Sequence, residues 1–238
     1  MSTSTHSAVE SHPHGFTLAE ILIAIAIFAL LVSIIMGSFS GVFSRTEELA
    51  VQRANNAMAR SCLMRMTTDL SNVYVEKPPF FKPPGRISQE SSRYRFEAVV
   101  ASDGASPQVL MQFTSLAHVD FSTEKRQGIA LIRYYMEAMD EAPVPTFRLR
   151  RSDILSYEGQ LPEPRGDPIL CENIRALRLE YLNAEGEPSE GWDSSSADQN
   201  FATPRAVRVH LELDSRAGPA VYQTVIPLPL WRPATGEV

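Results

Sequence analysis

From Phe16 to about Met36 the chain is an almost unbroken apolar run, interrupted only by Thr17, Glu20 and Ser33. As a helix rising 1.5 Å per residue it spans ~31 Å, about the hydrocarbon thickness of a bilayer. No proline follows before Val75, and only Gly37 and Gly41 interrupt the helical composition. A continuous helix from Phe16 to about Asn72, ~85 Å long, is therefore predicted. Past the apolar run, Val51, Ala54, Met58, Cys62, Met66 and Leu70 recur at three- and four-residue steps, with Gln52, Arg53, Arg60 and Thr67 elsewhere. That spacing makes one apolar face, which should pack on a sheet.

The pattern changes after the segment from Lys77 to Gly85, whose four prolines break the helix and form a stiff connector. Tyr94, Phe96 and Ala98 alternate with Arg93, Arg95 and Glu97, and Leu177, Leu179 and Tyr181 with Arg178 and Glu180. The clearest alternation sets Val207, Val209, Leu211 and Leu213 against Arg208, His210, Glu212 and Asp214. Val109–Phe113, Ile129–Tyr135, Phe147–Arg151 and Val221–Ile226 are further strand candidates. Period-two alternation means strands with one wet face, so the body is expected to be α+β, with antiparallel strands packed on the long N-terminal helix.

Composition narrows the function. The 238 residues, 44% hydrophobic and 21% charged, suit a folded body. A net charge of −6, with basic residues interleaved among acids, gives no reason to expect a nucleic-acid partner. Two cysteines are too few for a disulfide scaffold. Cys62 lies on the helix's apolar face and reads first as a small buried hydrophobe. A bridge to Cys171 is redox-permitted in a periplasm, but spacing alone does not establish its geometry.

Glu20 is the anomaly. A charge within a membrane-length run costs on the order of 2.5–3.5 kcal/mol at the centre and less near the interface, so it reads as functional and calls for a partner. A cleaved secretory signal fits poorly: the run exceeds the usual ~7–15 residues, and no small-x-small cleavage site follows it. The leader Met1 to Gly15 also holds no Lys or Arg, only His6, His12 and His14 among residues of basic type. A plain anchor explains the length but not Glu20.

Gly15-Phe16-Thr17-Leu18-Ala19-Glu20, followed by Ile, Leu and Ala, resembles the class III signal of type IV prepilins and pseudopilins. The resemblance implies that a prepilin peptidase cuts between Gly15 and Phe16 and methylates Phe16, leaving the apolar helix in place. Residues 1–15 are then a removed leader, 16–40 a transmembrane helix, 41–76 its periplasmic continuation and 77–238 the β-rich body. Glu20 becomes a subunit-interaction residue. The new α-amino group, of pKa ~7.7–8, is a cation that a neighbouring subunit's Glu20 can neutralise inside the membrane.

The later chain resembles the minor pseudopilin J family of type II secretion. A strand closing on Leu179-Glu180-Tyr181-Leu182-Asn183 is followed by Trp192, then by Pro204-Arg205-Ala206-Val207-Arg208-Val209 opening another strand. Asn183 stands where the family carries an acid. The resemblance implies an inner-membrane subunit with its body in the periplasm, joined to minor pseudopilins I and K in a complex at the pseudopilus tip. The N-terminal motif by itself also admits a minor pilin of a type IV pilus or competence system. An anchored or secreted enzyme with an ordinary leader is the rival of another class.

No catalytic, cofactor-binding or metal-ligating set emerges. Gly-x-Ser-x-Gly, Walker-type and dinucleotide fingerprints are absent from the sequence. His118 and His210 lack ligand-type spacing and read as surface or strand-face residues. Glu185, Glu187, Glu190, Asp193 and Asp198 share one loop without an EF-hand pattern; a solvated acidic loop is the simpler reading, calcium the alternative.

Overall fold

The computed structural model describes residues 16–78, 80–83, 94–98, 108–119, 127–139, 145–155, 166–215 and 218–235, with only helical backbone over 40–48. The expected leader 1–15 with Gly15, and Arg93, Pro79, Pro84 and Gly85, lie outside the described residues. The chain forms two compact units, Met1–Ala50 and Val51–Val238. Helix α1 (Leu18–Ser71) runs from the first into the second. In the first unit, Leu18–Phe39 is the one helical stretch among the described residues long and apolar enough to cross a membrane. Its large side chains, Ile23, Phe28, Leu30 and Ile34 among them, are exposed.

The second unit is built on one antiparallel sheet. Its strands are β1 (Glu97–Ala98), β2 (Gln108–Ser115), β3 (Ala130–Met139), β4 (Thr146–Leu155), β5 (Ile169–Leu182), β6 (Pro188–Ser189), β7 (Trp192–Asp193), β8 (Ala206–Leu213) and β9 (Ala220–Pro227). Their order is β7-β1-β2-β3-β4-β5-β8-β9, with β6 paired to β5. The position of β7 is informative. Ser189 pairs with Tyr181 of β5, and three residues later Trp192 pairs with Ala98 of β1. Three residues reach only ~10 Å, so the sheet must curl to bring β1 near β5, although β2, β3 and β4 lie between them in the strand order. The Phe96 and Tyr181 rings confirm the closure, with centroids 5.8 Å apart. Phe96, Phe113 and Tyr134 continue as a stacked row across the inner face.

The alternation read from the sequence is realised in β8. Val207, Val209, Leu211 and Leu213 are buried in the core while Arg208 is exposed. Strands β3, β4 and β5 are longer than expected. The first half of β5 escaped notice because shifts of register against β4 and β8 interrupt its period. The helix face also differs: Ala54 is exposed, Val51 and Met58 are half-buried, and Asn55, Ala59 and Asp69 are buried in their stead, the Asn55 Nδ2 donating to the Asp214 carbonyl at 3.3 Å. The buried seam runs Asn55, Ala59, Cys62, Met66, Asp69 and Leu70. Its alternating steps of four and three follow the 3.6-residue turn more closely than a chain of fours.

Asp69 docks the helix. Its side chain is fully buried, and it accepts from Arg151 of β4 through two nitrogens, Nε to Oδ2 at 2.6 Å and Nη2 to Oδ1 at 3.1 Å. Tyr134 of β3 and Arg65, one turn back on α1, also donate to it. A carboxylate in a helix's last turn opposes the helix dipole, so these donors also offset an unfavourable position. The end of β2 completes the junction: the Ser115 hydroxyl donates to the Asp69 and Asn72 carbonyls, and the Leu116 N–H to the Asn72 carbonyl. Carbonyls that a helix end leaves open are thus satisfied by the sheet.

A second clasp ties the connector after α1 to the last segment. Arg232 is 1% exposed. It donates to the carbonyls of Phe201 (2.7 Å), Glu76 (3.1 Å) and Ser194 (2.6 Å), and its guanidinium lies 3.4 Å over the Phe81 ring. Phe201 offers that carbonyl from a left-handed backbone, φ 58°, an uncommon state for a bulky residue. Burial, offset only in part by Glu76, lowers the Arg232 pKa to about 10, which leaves it charged at neutral pH.

Replacing Asp69 by Ala strands Arg151 in the interior without its main acceptor. The expected loss is about 3–5 kcal/mol of unfolding free energy, with Asp69→Asn losing less. Urea unfolding followed by tryptophan fluorescence measures both.

Candidate assembly and processing site

Phe16 precedes the first turn of α1 and is 84% exposed. Thr17 occupies the capping position and Glu20 the third helical residue. The Thr17 N–H donates to Glu20 Oε2 at 2.9 Å and the Thr17 hydroxyl donates to the same oxygen at 3.0 Å; the Glu20 N–H donates to Thr17 Oγ1 at 3.3 Å. This reciprocal arrangement is a capping box, in which two amide groups that a helix start leaves open are satisfied. Glu20 thus has a local partner as well as any it finds on a neighbour. The sequence carries the signal, Thr-x-x-Glu directly ahead of an apolar run, beside the expected partner on a neighbouring subunit. Among the described residues only Thr17 donates to Glu20, and it uses one carboxylate oxygen. The other is open to a further donor. Ser33, the remaining polar residue of the run, donates to the Ala29 carbonyl at 2.8 Å, which satisfies its hydroxyl within the helix.

In the body, the two histidines go to separate partners. His118 pairs with Asp153 of β4 at 2.6 Å, and His210 on β8 meets Gln223 of β9 at 2.7 Å. In the acidic loop, Asp193 accepts the Ser195 N–H (2.8 Å) and Glu187 accepts from Asn183 (3.0 Å). No three His, Cys, Asp or Glu side chains gather into a metal-sized group among the described residues. Trp192, whose loop resembled the J family, is buried between β1 and the following turn, with Nε1 donating to the Ala202 carbonyl at 2.9 Å.

Asp153 extends the Asp69–Arg151 network outward, taking hydrogen bonds from Arg151 Nη1 (2.7 Å), the Val119 N–H (2.9 Å) and His118. Burial works against its charge, but these donors outweigh it and hold the carboxyl below the usual aspartate range. Arg151 shows the complementary balance: burial disfavours its charge, and Asp69 with Asp153 more than restore it.

An apolar helix opened by a Thr–Glu box and leading into an antiparallel body defines the pilin-like class of membrane-anchored subunits. Family comparison makes this specific. Residues 11–36 match the prokaryotic N-terminal methylation motif, and residues 37–222 match type II secretion system protein J. The chain belongs to the type II secretion system protein J family. A search of curated proteins returns no match. The protein is therefore a pseudopilin of type II secretion, with one membrane-length apolar helix among the described residues, from a family of structural subunits rather than known enzymes. Membership carries with it association with other pseudopilins and processing by a prepilin peptidase at the methylation motif. The secretion family also separates this chain from the type IV pilus and competence alternatives that the N-terminal motif left open.

Folding lowers the proton affinity of Asp153, so its stabilisation is complete above the ordinary aspartate value of about 3.9 and fades as pH falls through the lower folded value. Asp153→Asn should lose about 2 kcal/mol at pH 7 relative to wild type. That gap should narrow below pH ~4, as read by paired thermal melts.

Proposed function

We propose that the protein is a tip subunit of the type II secretion pseudopilus, assembled with minor pseudopilins I and K to prime fibre growth and support export across the outer membrane. In this reading residues 1–15 are removed, Phe16 becomes the methylated N-terminus, 16–40 lie in the inner membrane, and 41–76 and 77–238 form the periplasmic part. The protein performs no reaction itself; it is the substrate of the peptidase that cuts after Gly15.

The observation that carries this reading is the state of Glu20. Thr17 holds one carboxylate oxygen, which fixes the side chain's rotamer in the first helical turn, and the other has no donor among the described residues. A preorganised carboxylate next to the processing point suits capture of a neighbour's Phe16 ammonium. Two partnered charges in hydrocarbon cost far less than two isolated ones. The pairing rewards one stagger between adjacent helices, so Glu20 acts as a register device.

Mass spectrometry of the membrane form should find N-methyl-phenylalanine from Phe16 at the N-terminus; a new terminus after residue 30 would reject the class. Glu20→Val should insert normally yet lose co-purification with the I- and K-type subunits. Thr17→Ala, which removes only the cap's hydroxyl and about 1 kcal/mol of helix-start stability, should retain partner binding. Normal co-purification of Glu20→Val would sink the register role.

A further inference from the structure

The chain's two cysteines lie far apart in sequence and come together in the fold. Cys62 sits on the buried seam of α1 at 1% exposure, and Cys171 on β5 at 0%, opposite Leu149 of β4. The surrounding contacts fix this approach independently of the thiols. The N–H of Glu172, next to Cys171, donates to the Met58 sulfur at 3.4 Å, and Met58 is one helical turn before Cys62. Both thiols belong to one buried core cluster and are close enough to perturb one another. Cys171, and burial after it, push the Cys62 thiol up, while Cys62 draws the Cys171 thiol down.

Two other readings of this pair are weaker. A metal site needs more donors, and no third His, Cys, Asp or Glu joins the two thiols into a metal-sized group among the described residues. Two cysteines serving only as small hydrophobes do not need to meet across a helix–sheet interface. We propose that Cys62 and Cys171 form a disulfide that fastens α1 to the centre of the sheet as the body folds. The proposal rests on the reading that the body lies in the periplasm, an oxidising compartment.

The chemistry needs an oxidant, which a thiol–disulfide oxidase supplies. While the helix is still undocked, the Cys171 thiolate attacks the oxidase disulfide, forming a mixed disulfide and releasing one oxidase thiol. Docking then brings Cys62 onto the Cys171 sulfur. Cys62 loses its proton, its sulfur bonds to Cys171, and the second oxidase thiol leaves. Two protein thiols are oxidised and one oxidase disulfide is reduced to two thiols. The bond closes a loop containing β1 to β4, so it crosslinks elements that only tertiary packing otherwise joins.

The test uses the full-length protein purified from membranes, with thiols blocked by N-ethylmaleimide in denaturant before extraction. The expected result is no alkylation, a mass 2 Da below the dithiol form, and two alkylations only after reduction. Reduction should lower the melting temperature by about 10 °C, and the Cys62→Ser/Cys171→Ser double variant should melt without sensitivity to reductant. A second arm refolds the reduced protein with oxidised glutathione. Two free thiols in both arms overturn the disulfide and leave the secretion reading untouched. A bridge that forms with glutathione but not in cells overturns the oxidising-compartment reading, and with it the bridge in service.

Discussion

Asp69 and Arg151 impose the condition under which this helix and this sheet become one body. Each is costly where it lies: the carboxylate faces the negative end of its own helix, and the guanidinium occupies the apolar side of a strand. Their pairing is two-pronged, and every further donor around it comes from the helix or from a strand. Arg65 reinforces it from α1, Tyr134 from β3 and the end of β2 through Ser115. Sliding the helix by one turn would leave two buried charges unmatched, a penalty that apolar packing alone does not impose. The ion pair therefore selects the register, and the aliphatic seam of Ala59, Met66 and Leu70 supplies the adhesion.

Two carboxylates on α1 thus use the same physics for different ends. Asp69 is satisfied within the chain, by several donors at once. Among the described residues, Glu20 is satisfied only in part, by a single residue three positions away. The proposed pairing with a neighbouring subunit would give that asymmetry its sense.

The long helix, the alternating strands and the antiparallel α+β class were legible because each depends on a period written in residue type. Val207 to Leu213 is the clearest instance. Less legible were features set by the third dimension. The curl of the sheet depends on β6 and β7, two-residue strands too short to show a period. The bulged half of β5 hid its alternation by shifting it. The buried network was half visible: alternation from Phe147 through Leu149 puts Arg151 on the apolar face, which already demands an acid from another element, but the sequence does not say that Asp69 provides it. At the helix start, attention to the charge of Glu20 obscured the simpler motif it makes with Thr17.

The Arg232 clasp has a temporal side. A chain emerges from its N-terminus onward, so α1 is made long before residue 232 exists. The carbonyls of Glu76, Ser194 and Phe201 must wait for a guanidinium that, for Glu76, comes 156 residues later. The guanidinium then joins three stretches far apart in the chain, so this junction can close only after the strands of the sheet have been made.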